Sequence, residues 1–173
     1  MRNPMNNQGF TMLEVLVALL VISFGLLGLV GLQTVGLQYT HSASLRTTAT
    51  QLAYDMADRL RANQAGVKAG YYNNPTSASE TPACLQDAGC SAQQMAETDV
   101  AIWKQELARV LPQGDGVICI DGTAWSVAAL PGAPDCDNAA GAPYVIKVWW
   151  DDKERVPGTG AVVLQQVVTS FQP

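Results

Sequence analysis

The chain has 173 residues, which leaves room for one modest domain and a membrane-spanning element. Hydrophobic residues make up 48% of it and charged residues only 14%, and much of the apolar excess lies in the first forty residues. The net charge of −5 and the pI near 4.6 argue against a nucleic-acid binder that relies on a basic surface. Because Lys and Arg are also scattered, we expect no direct nucleic-acid binding.

The first element in chain order is an apolar helix that follows a short polar segment, residues 1–9. From Val15 to Leu32, eighteen residues carry no charge, and Ser23 is the only polar side chain. At about 1.5 Å per residue, this length approaches the hydrocarbon core of about 30 Å. No A-x-A cleavage pattern follows the run, so an uncleaved signal anchor with a cytoplasmic N-terminus is one interpretation.

Glu14 lies at the beginning of this apolar stretch. A carboxylate there costs roughly 2.5 to 3.5 kcal/mol on insertion scales unless it reaches the headgroups or finds a partner. One hypothesis is therefore an interfacial side chain that snorkels to the cytoplasmic surface. The other is a contact with a second subunit.

The segment GFTMLEV (residues 9–15), followed by LVALLVISFGLLGL, resembles the class III leader and N-terminal helix of type IV pilins and pseudopilins. The continuation GLLGLVGLQ and the later domain are similar to the minor pilins of the PilV class, the type IV pilus modification proteins. The resemblance implies that a prepilin peptidase cuts between Gly9 and Phe10 and methylates the new amine of Phe10. It also implies that Glu14 pairs with the amine of a neighbouring subunit during assembly, which offsets its desolvation.

Small residues interrupt the apolar helix at Gly25, Gly28, Gly31 and Gly36. Such residues in membrane helices favour close packing between helices. The span contains no proline, so these glycines are the only candidates for local melting of the helix.

Residues 33–63 continue as a helix but become amphipathic. The apolar positions fall at spacings of 4, 3, 4 and 4 and are Leu45, Ala49, Leu52, Met56 and Leu60. Gly66 offers a stop. The sequence therefore predicts one helix of about fifty residues, about 75 Å long, whose second half packs on a domain.

A loop and a second helix come next. Residues 69–90 are rich in turn-forming residues, and we expect Tyr71 and Tyr72 there to pack against the domain rather than to form a contact site. Residues 91–111 predict a helix that begins with a capping box of Ser91 and Gln94. Its apolar stripe is Ala96, Val100, Trp103, Leu107 and Val110.

The last third of the chain has the period of β-strands. Strand candidates are residues 116–121, 144–150 and 161–171, with the polar segment DDKERVPGTG as a hairpin connection. We expect an α+β, pilin-like fold, in which the long N-terminal helix packs on a three- to four-stranded antiparallel sheet with an extra helix. The predicted division is a leader (1–9), a transmembrane and assembly half (10–38), an amphipathic half (39–66) and a periplasmic pilin domain (67–173).

All four cysteines lie beyond the apolar helix, which indicates disulfides in an oxidising compartment. Of the three possible connectivities we favour Cys84–Cys90 and Cys119–Cys136, because each pair closes a local loop around turn-forming residues. Free buried thiols and a zinc site remain alternatives, although the spacings are wider than zinc ligands prefer.

The sequence offers little for catalysis, a cofactor or a metal. The acidic residues of the last third predict a solvated rim rather than a calcium loop, since the EF-hand pattern fails; they are Asp135, Asp137, Asp151, Asp152 and Glu154. No phosphate loop, nucleophile elbow or histidine metal constellation is present. We therefore expect a protein that is not an enzyme.

The leading hypothesis is a minor pilin that is held in the inner membrane by one span, with its domain in the periplasm, and then enters the pilus. By resemblance, its expected partners are the prepilin peptidase, other minor pilins in a priming or tip complex, and the major pilin, with a tip adhesin as a further candidate. Rival hypotheses are a minor pseudopilin of a type II secretion system and a membrane-anchored periplasmic ligand-binding domain. Whether the pilus serves twitching motility, cell adhesion or DNA uptake is open at this stage.

Overall fold

The computed structural model describes residues 10–75, 78–87, 89–123 and 129–172. The α-helices are α1 (Met12–Ala62), α2 (Gln64–Lys68) and α3 (Ala92–Val110), and a short 3-10 helix covers Pro82–Leu85. The strands are β1 (Asp115–Ile120), β2 (Tyr144–Arg155) and β3 (Val162–Phe171). The predicted leader, including Gly9, lies outside the described residues.

The strands form one antiparallel sheet in the order β1-β2-β3, and the second part of α1 packs on it. The predicted α+β, pilin-like fold is confirmed, with three strands. The chain divides into two compact units, one that ends at Ser42 and one that begins at Ala43. The predicted boundaries of leader, membrane half, amphipathic half and domain stay predictions.

The second part of α1 packs through a stripe of helical period. Leu45, Ala49, Met56 and Leu60 are buried as the spacing predicts, and Leu52 is half-buried. Two further residues of the stripe were not predicted, the buried Ala53 and Ala57. Alanine carries little signal in an apolar pattern, but at a four-residue spacing its small side chain widens the face that approaches the domain.

The helix ends earlier than Gly66, the predicted stop, because Asn63 interrupts it. Asn63 has a non-helical conformation, and its side-chain oxygen accepts a hydrogen bond from the Gly66 backbone at 3.1 Å, which starts α2. Its amide nitrogen donates to the Tyr72 hydroxyl (3.1 Å) and to the Ala92 carbonyl (2.8 Å). Hydrogen bonds to one nearby group and two groups farther along the chain outweigh one more turn of helix.

Helix α3 begins as predicted. The Ser91 hydroxyl accepts from the Gln94 backbone N–H, and the Gln94 side chain accepts from the Ser91 N–H, so the capping box is complete. The buried Trp103 donates its indole N–H to the Leu52 carbonyl at 2.9 Å, which joins α3 to α1.

Strand β2 is buried on both faces over its first eight residues. Tyr144, Ile146, Val148 and Trp150 belong to the core formed with the helices. Trp149, on the opposite face, packs with Val117, Cys119 and Ala129 and donates its indole N–H to the Ala129 carbonyl at 3.0 Å. β2 continues to Arg155, so part of the predicted hairpin connection is strand, and only residues 156–161 join it to β3.

Candidate functional site

The first part of α1 is an exposed apolar surface. Every residue from 10 to 41 is exposed, including Phe10 at 83% and Leu32 at 73%. By length and composition, α1 is the helix in the described part of the chain that is able to cross a membrane; its most apolar window has a mean hydropathy of 2.8, and none of that window is buried. Because a core helix of a soluble protein is mostly buried, this exposure favours a surface that lipid or other helices cover.

The beginning of α1 fixes the position of Glu14. The Thr11 hydroxyl accepts a hydrogen bond from the Glu14 backbone N–H at 3.3 Å, so Thr11 caps the helix. Glu14 lies in the first turn, where a carboxylate interacts favourably with the helix dipole, and its side chain is exposed. The carboxylate is therefore held one turn from Phe10 and remains available to a partner.

The hydroxyl groups of the apolar part are satisfied within the helix. Ser23 donates to the Leu19 carbonyl at 2.7 Å, Thr34 to Val30 and Thr40 to Gly36. This back-bonding removes the cost of placing a hydroxyl in lipid. Glu14 is then the one charged side chain between Phe10 and Tyr39, and the helix itself offers it no partner cation.

The glycines of the apolar part leave open backbone. A methyl group added at Gly25, Gly28, Gly31 or Gly36 would meet nothing within 4 Å. Their small size is thus not required by contacts within the chain, which is consistent with close approach of other helices.

Comparisons with known proteins agree with this geometry. Residues 4–30 match the model of the prokaryotic N-terminal methylation motif, and residues 31–101 match the family model of type IV pilin Tt1218. The chain is similar to type IV pilins. No curated protein and no solved structure matches it.

The two matches cover the apolar part of this pilin-like chain, the amphipathic part of α1 and the first half of α3. They support a pilin or pseudopilin role in pilus assembly, together with assembly with other pilins and a prepilin peptidase in general terms. A methylation motif followed by a long apolar helix also fits a membrane-anchored pilin. Pilins are structural rather than enzymatic proteins.

Both disulfides of the structure join the cysteines that the sequence analysis paired. Cys84 and Cys90 clip the loop before α3, with Cα atoms 4.9 Å apart. Cys119 of β1 is bound to Cys136, with Cα atoms 6.2 Å apart. The second disulfide holds the segment around residues 129–138 against the face of the sheet that the helices leave uncovered.

A buried ion pair, which the sequence analysis missed, supports the same segment. The Lys147 ammonium lies 2.6 Å from Asp121, and both side chains are fully buried. It also donates to the carbonyls of Pro134 and Asp135 at 2.7 and 3.1 Å. Burial opposes the ionisation of Asp121, but hydrogen bonds from Lys147 and Thr123 outweigh it and lower the pKa of Asp121. The sequence pattern that could have indicated the pair is a lysine between the apolar residues of a strand. Such a lysine requires a partner if its face of the sheet is covered.

A second network joins α1, the following loop and α3. Tyr72 is buried as expected, whereas Tyr71 is 39% exposed. The Tyr72 hydroxyl donates to Asp99 at 2.6 Å, and Asp99 also pairs with Arg59 of α1 at 3.3 Å. Burial and the hydrogen bond to Asp99 raise the pKa of Tyr72. These groups satisfy one another, so the network is structural.

The predicted acidic rim is only partly solvated. Asp151 is buried and pairs with Arg155 at 2.9 Å, so placing it in a solvated rim was wrong. The Asp137 carboxylate accepts from the backbone of Gly122 and Ala139, which makes it a turn-forming group. Within residues 10–75, 78–87, 89–123 and 129–172, no group of three His, Cys, Asp or Glu side chains could hold a metal ion.

Proposed function

We propose that this pilin-like chain is a minor pilin of the PilV class. It is inserted in the inner membrane as a prepilin with its N-terminus in the cytoplasm and its domain in the periplasm. A prepilin peptidase cuts after Gly9 and methylates Phe10, and the mature chain enters a type IV pilus. The observation that carries the proposal is one acidic side chain, Glu14, in the first turn of α1, whose exposed apolar first part matches a methylation motif.

The mechanism follows from charge and burial. Cleavage creates an amine on Phe10, and a subunit that joins the filament brings this amine near Glu14 of a neighbour. The pair offsets a desolvation cost of roughly 2.5 to 3.5 kcal/mol. The small glycines of the apolar part let the helices of neighbouring subunits approach closely enough for Glu14 to meet the amine. Other minor pilins, the major pilin and a tip adhesin are then the partners of the exposed domain in a priming complex.

The test compares Glu14→Ala with the matched control Ser23→Ala, which removes a polar group of the same helix without removing charge. Both variants should appear in the membrane fraction at the wild-type level. A free-energy difference of about 1.4 kcal/mol changes an equilibrium constant tenfold, and the cost that the Glu14 contact offsets is larger than that. Pili sheared from Glu14→Ala cells should therefore contain at least tenfold less of the chain, measured by immunoblotting. Ser23→Ala should enter pili normally. Normal incorporation of Glu14→Ala would remove the assembly role of Glu14.

A further inference from the structure

The two edges of the sheet differ. The edge of β1 is covered by the chain itself. The Asn74 backbone N–H donates to the Ile118 carbonyl at 2.7 Å, the Asn73 side chain accepts from the Ile120 N–H at 3.0 Å, and the Asn138 N–H donates to the Ile120 carbonyl at 3.0 Å. These bonds occupy backbone groups of Ile118 and Ile120, so an added strand cannot pair along the second half of β1.

The edge of β3 has no such cover in the described part of the chain. The only strand that pairs with β3 there is β2, on the opposite side. Register is unbroken over eight pairs, from Tyr144↔Phe171 to Asp151↔Leu164. At about 3.4 Å per residue, this leaves a regular edge about 24 Å long with unpaired backbone donors and acceptors.

The sequence of β3 contains none of the features that usually protect an edge. VVLQQVVTSF has no charged residue, proline or glycine, and the register irregularity lies beyond Asp151, near the hairpin. Native edges are normally blocked by lysines, prolines, bulges or a covering segment, because an open edge pairs with any extended chain. An unprotected edge on a folded domain therefore indicates a surface that is used.

One buried donor belongs to this edge strand. The side-chain N–H group of Gln166 in β3 is buried and has no acceptor among the described residues. Gln166 pairs with Trp149 of β2, so its side chain lies on the face of the sheet opposite to the helices. Buried donors almost always have an acceptor in the native assembly, and an added strand brings carbonyl oxygens to this place.

We propose that the β3 edge binds an extended, uncharged strand of another pilin subunit, different in sequence from this chain, by strand addition. The inference rests on the proposed assembly into a pilus. The ladder of β3 supplies the backbone hydrogen bonds, and its valines supply an apolar surface for alternate side chains of the added strand. The absence of charge on β3 disfavours a charged partner segment, whose desolvation would go uncompensated.

A second copy of this chain does not fit the edge. Its β1 edge is already occupied by Asn73, Asn74 and Asn138. Antiparallel pairing of two β3 strands about a two-fold axis would reverse residues 43–62, which pack on the sheet. Subunits that are added in turn to one filament keep the same direction, so they are not related in that way.

The experiment places a photo-reactive phenylalanine analogue at Ser170, an exposed residue of β3, and in a control chain at Ala108, an exposed residue of α3. Cells that assemble pili are irradiated, sheared pili are isolated, and crosslinked peptides are identified by mass spectrometry. The probe at Ser170 should crosslink to a strand of another pilin at least tenfold more than the probe at Ala108. Backbone amides of β3 should also exchange hydrogen at least tenfold more slowly in pili than in the detergent-purified chain.

Failures of the two proposals are distinguishable. If the chain enters pili but the Ser170 probe crosslinks no more than the control and β3 amides exchange equally fast in both states, the strand-addition inference is wrong while the minor-pilin proposal stands. A crosslink to a second copy of this chain or to a protein that is not a pilin also overturns the inference. Absence of the chain from pili overturns both.

Discussion

Lys147 attaches the segment around residues 129–138 to the sheet. Its ammonium is fully buried, yet its three hydrogen-bond donors meet Asp121 and two backbone carbonyls, so no donor is left unsatisfied. A buried ion pair adds little net stability compared with a well-packed apolar pair, but loss of one partner leaves an uncompensated charge. Replacing either Lys147 or Asp121 alone should therefore weaken the attachment of the outer segment, the residues around 129–138, to the sheet.

We expect Lys147→Met to lower the free energy of unfolding of the chain by about 3 to 5 kcal/mol, since Asp121 is left buried without a counter-ion. Urea unfolding in detergent, followed by tryptophan fluorescence, measures the change. The matched control is Lys104→Met, which removes an exposed pair with Asp115 at 3.4 Å and should cost at most about 1 kcal/mol. Equal changes in the free energy of unfolding for the two substitutions would show that burial does not increase the cost of losing the Lys147 pair.

Asp151 makes the free energy of unfolding of the domain depend on pH in the acidic range. A hydrogen bond from Arg155, aided by the Lys153 backbone N–H, lowers the pKa of Asp151. A depressed pKa contributes stability above the unfolded value of about 3.9, and this contribution is lost as the pH falls through the folded value. The free energy of unfolding should therefore decrease below about pH 4. In Asp151→Asn the decrease should be shallower; an unchanged slope in that variant would contradict the assignment.

At the scale of elements, α3 and β1 approach each other without space for a side chain at Gly116. A methyl group there would clash with the ring of Trp103 and with Leu107. Trp103 is held by its hydrogen bond to Leu52 of α1, so it cannot move without breaking the contact between the helices. The glycine thus sets the distance at which α3 crosses the strand.

Gly116→Ala should accordingly destabilise the domain by about 1 to 3 kcal/mol, the range of overpacking in a core. Gly132→Ala is the matched control, because a methyl group at Gly132 meets nothing within 4 Å and its backbone is not left-handed. The control should be neutral or slightly stabilising. Thermal unfolding by circular dichroism distinguishes the two; a Gly116→Ala protein as stable as the control would refute the close packing.

Local signals explain which elements the sequence predicts well. The period of α1 and the capping box of Ser91 depend on residues a few positions apart, so their positions were evident without a structure. Asn63 was not, because its partners Tyr72 and Ala92 lie far along the chain. The extension of β2 to Arg155 was missed for a related reason, since its polar residues have the composition of a turn but pair across the sheet.

The functional features also differ in how well the sequence predicts them. Glu14 and the apolar helix are a linear motif, so the sequence alone indicates them. The buried pair of Lys147 and Asp121 and the open edge of β3 depend on which face another segment covers, and no local pattern contains that information.

At the scale of the whole molecule, two disulfides fasten different parts of the second unit. Cys84–Cys90 spans six positions of the loop before α3, whereas Cys119–Cys136 spans seventeen and holds the segment over the outer face of the sheet. Closing a longer loop restricts the unfolded chain more. The second disulfide should therefore matter more for stability.

We expect replacement of Cys119 and Cys136 by serine to cost about 3 kcal/mol, and the same replacement of Cys84 and Cys90 about 2 kcal/mol. Serine in the place of the buried Cys119 adds a polar group to an apolar cluster, which widens the difference. Denaturant midpoints of the two double variants test the order. A reversed order would mean that the outer segment is held by its other contacts alone.

The account as a whole depends on what happens at the beginning of the chain, where a cleaved and methylated terminus is the proposed partner of Glu14. The most direct measurement is the intact mass and N-terminal sequence of the chain purified from cells with an active prepilin peptidase. We predict a mature chain that begins at Phe10 and carries one added methyl group. A chain that retains residues 1–9 would contradict the pilin account and leave a membrane-anchored domain.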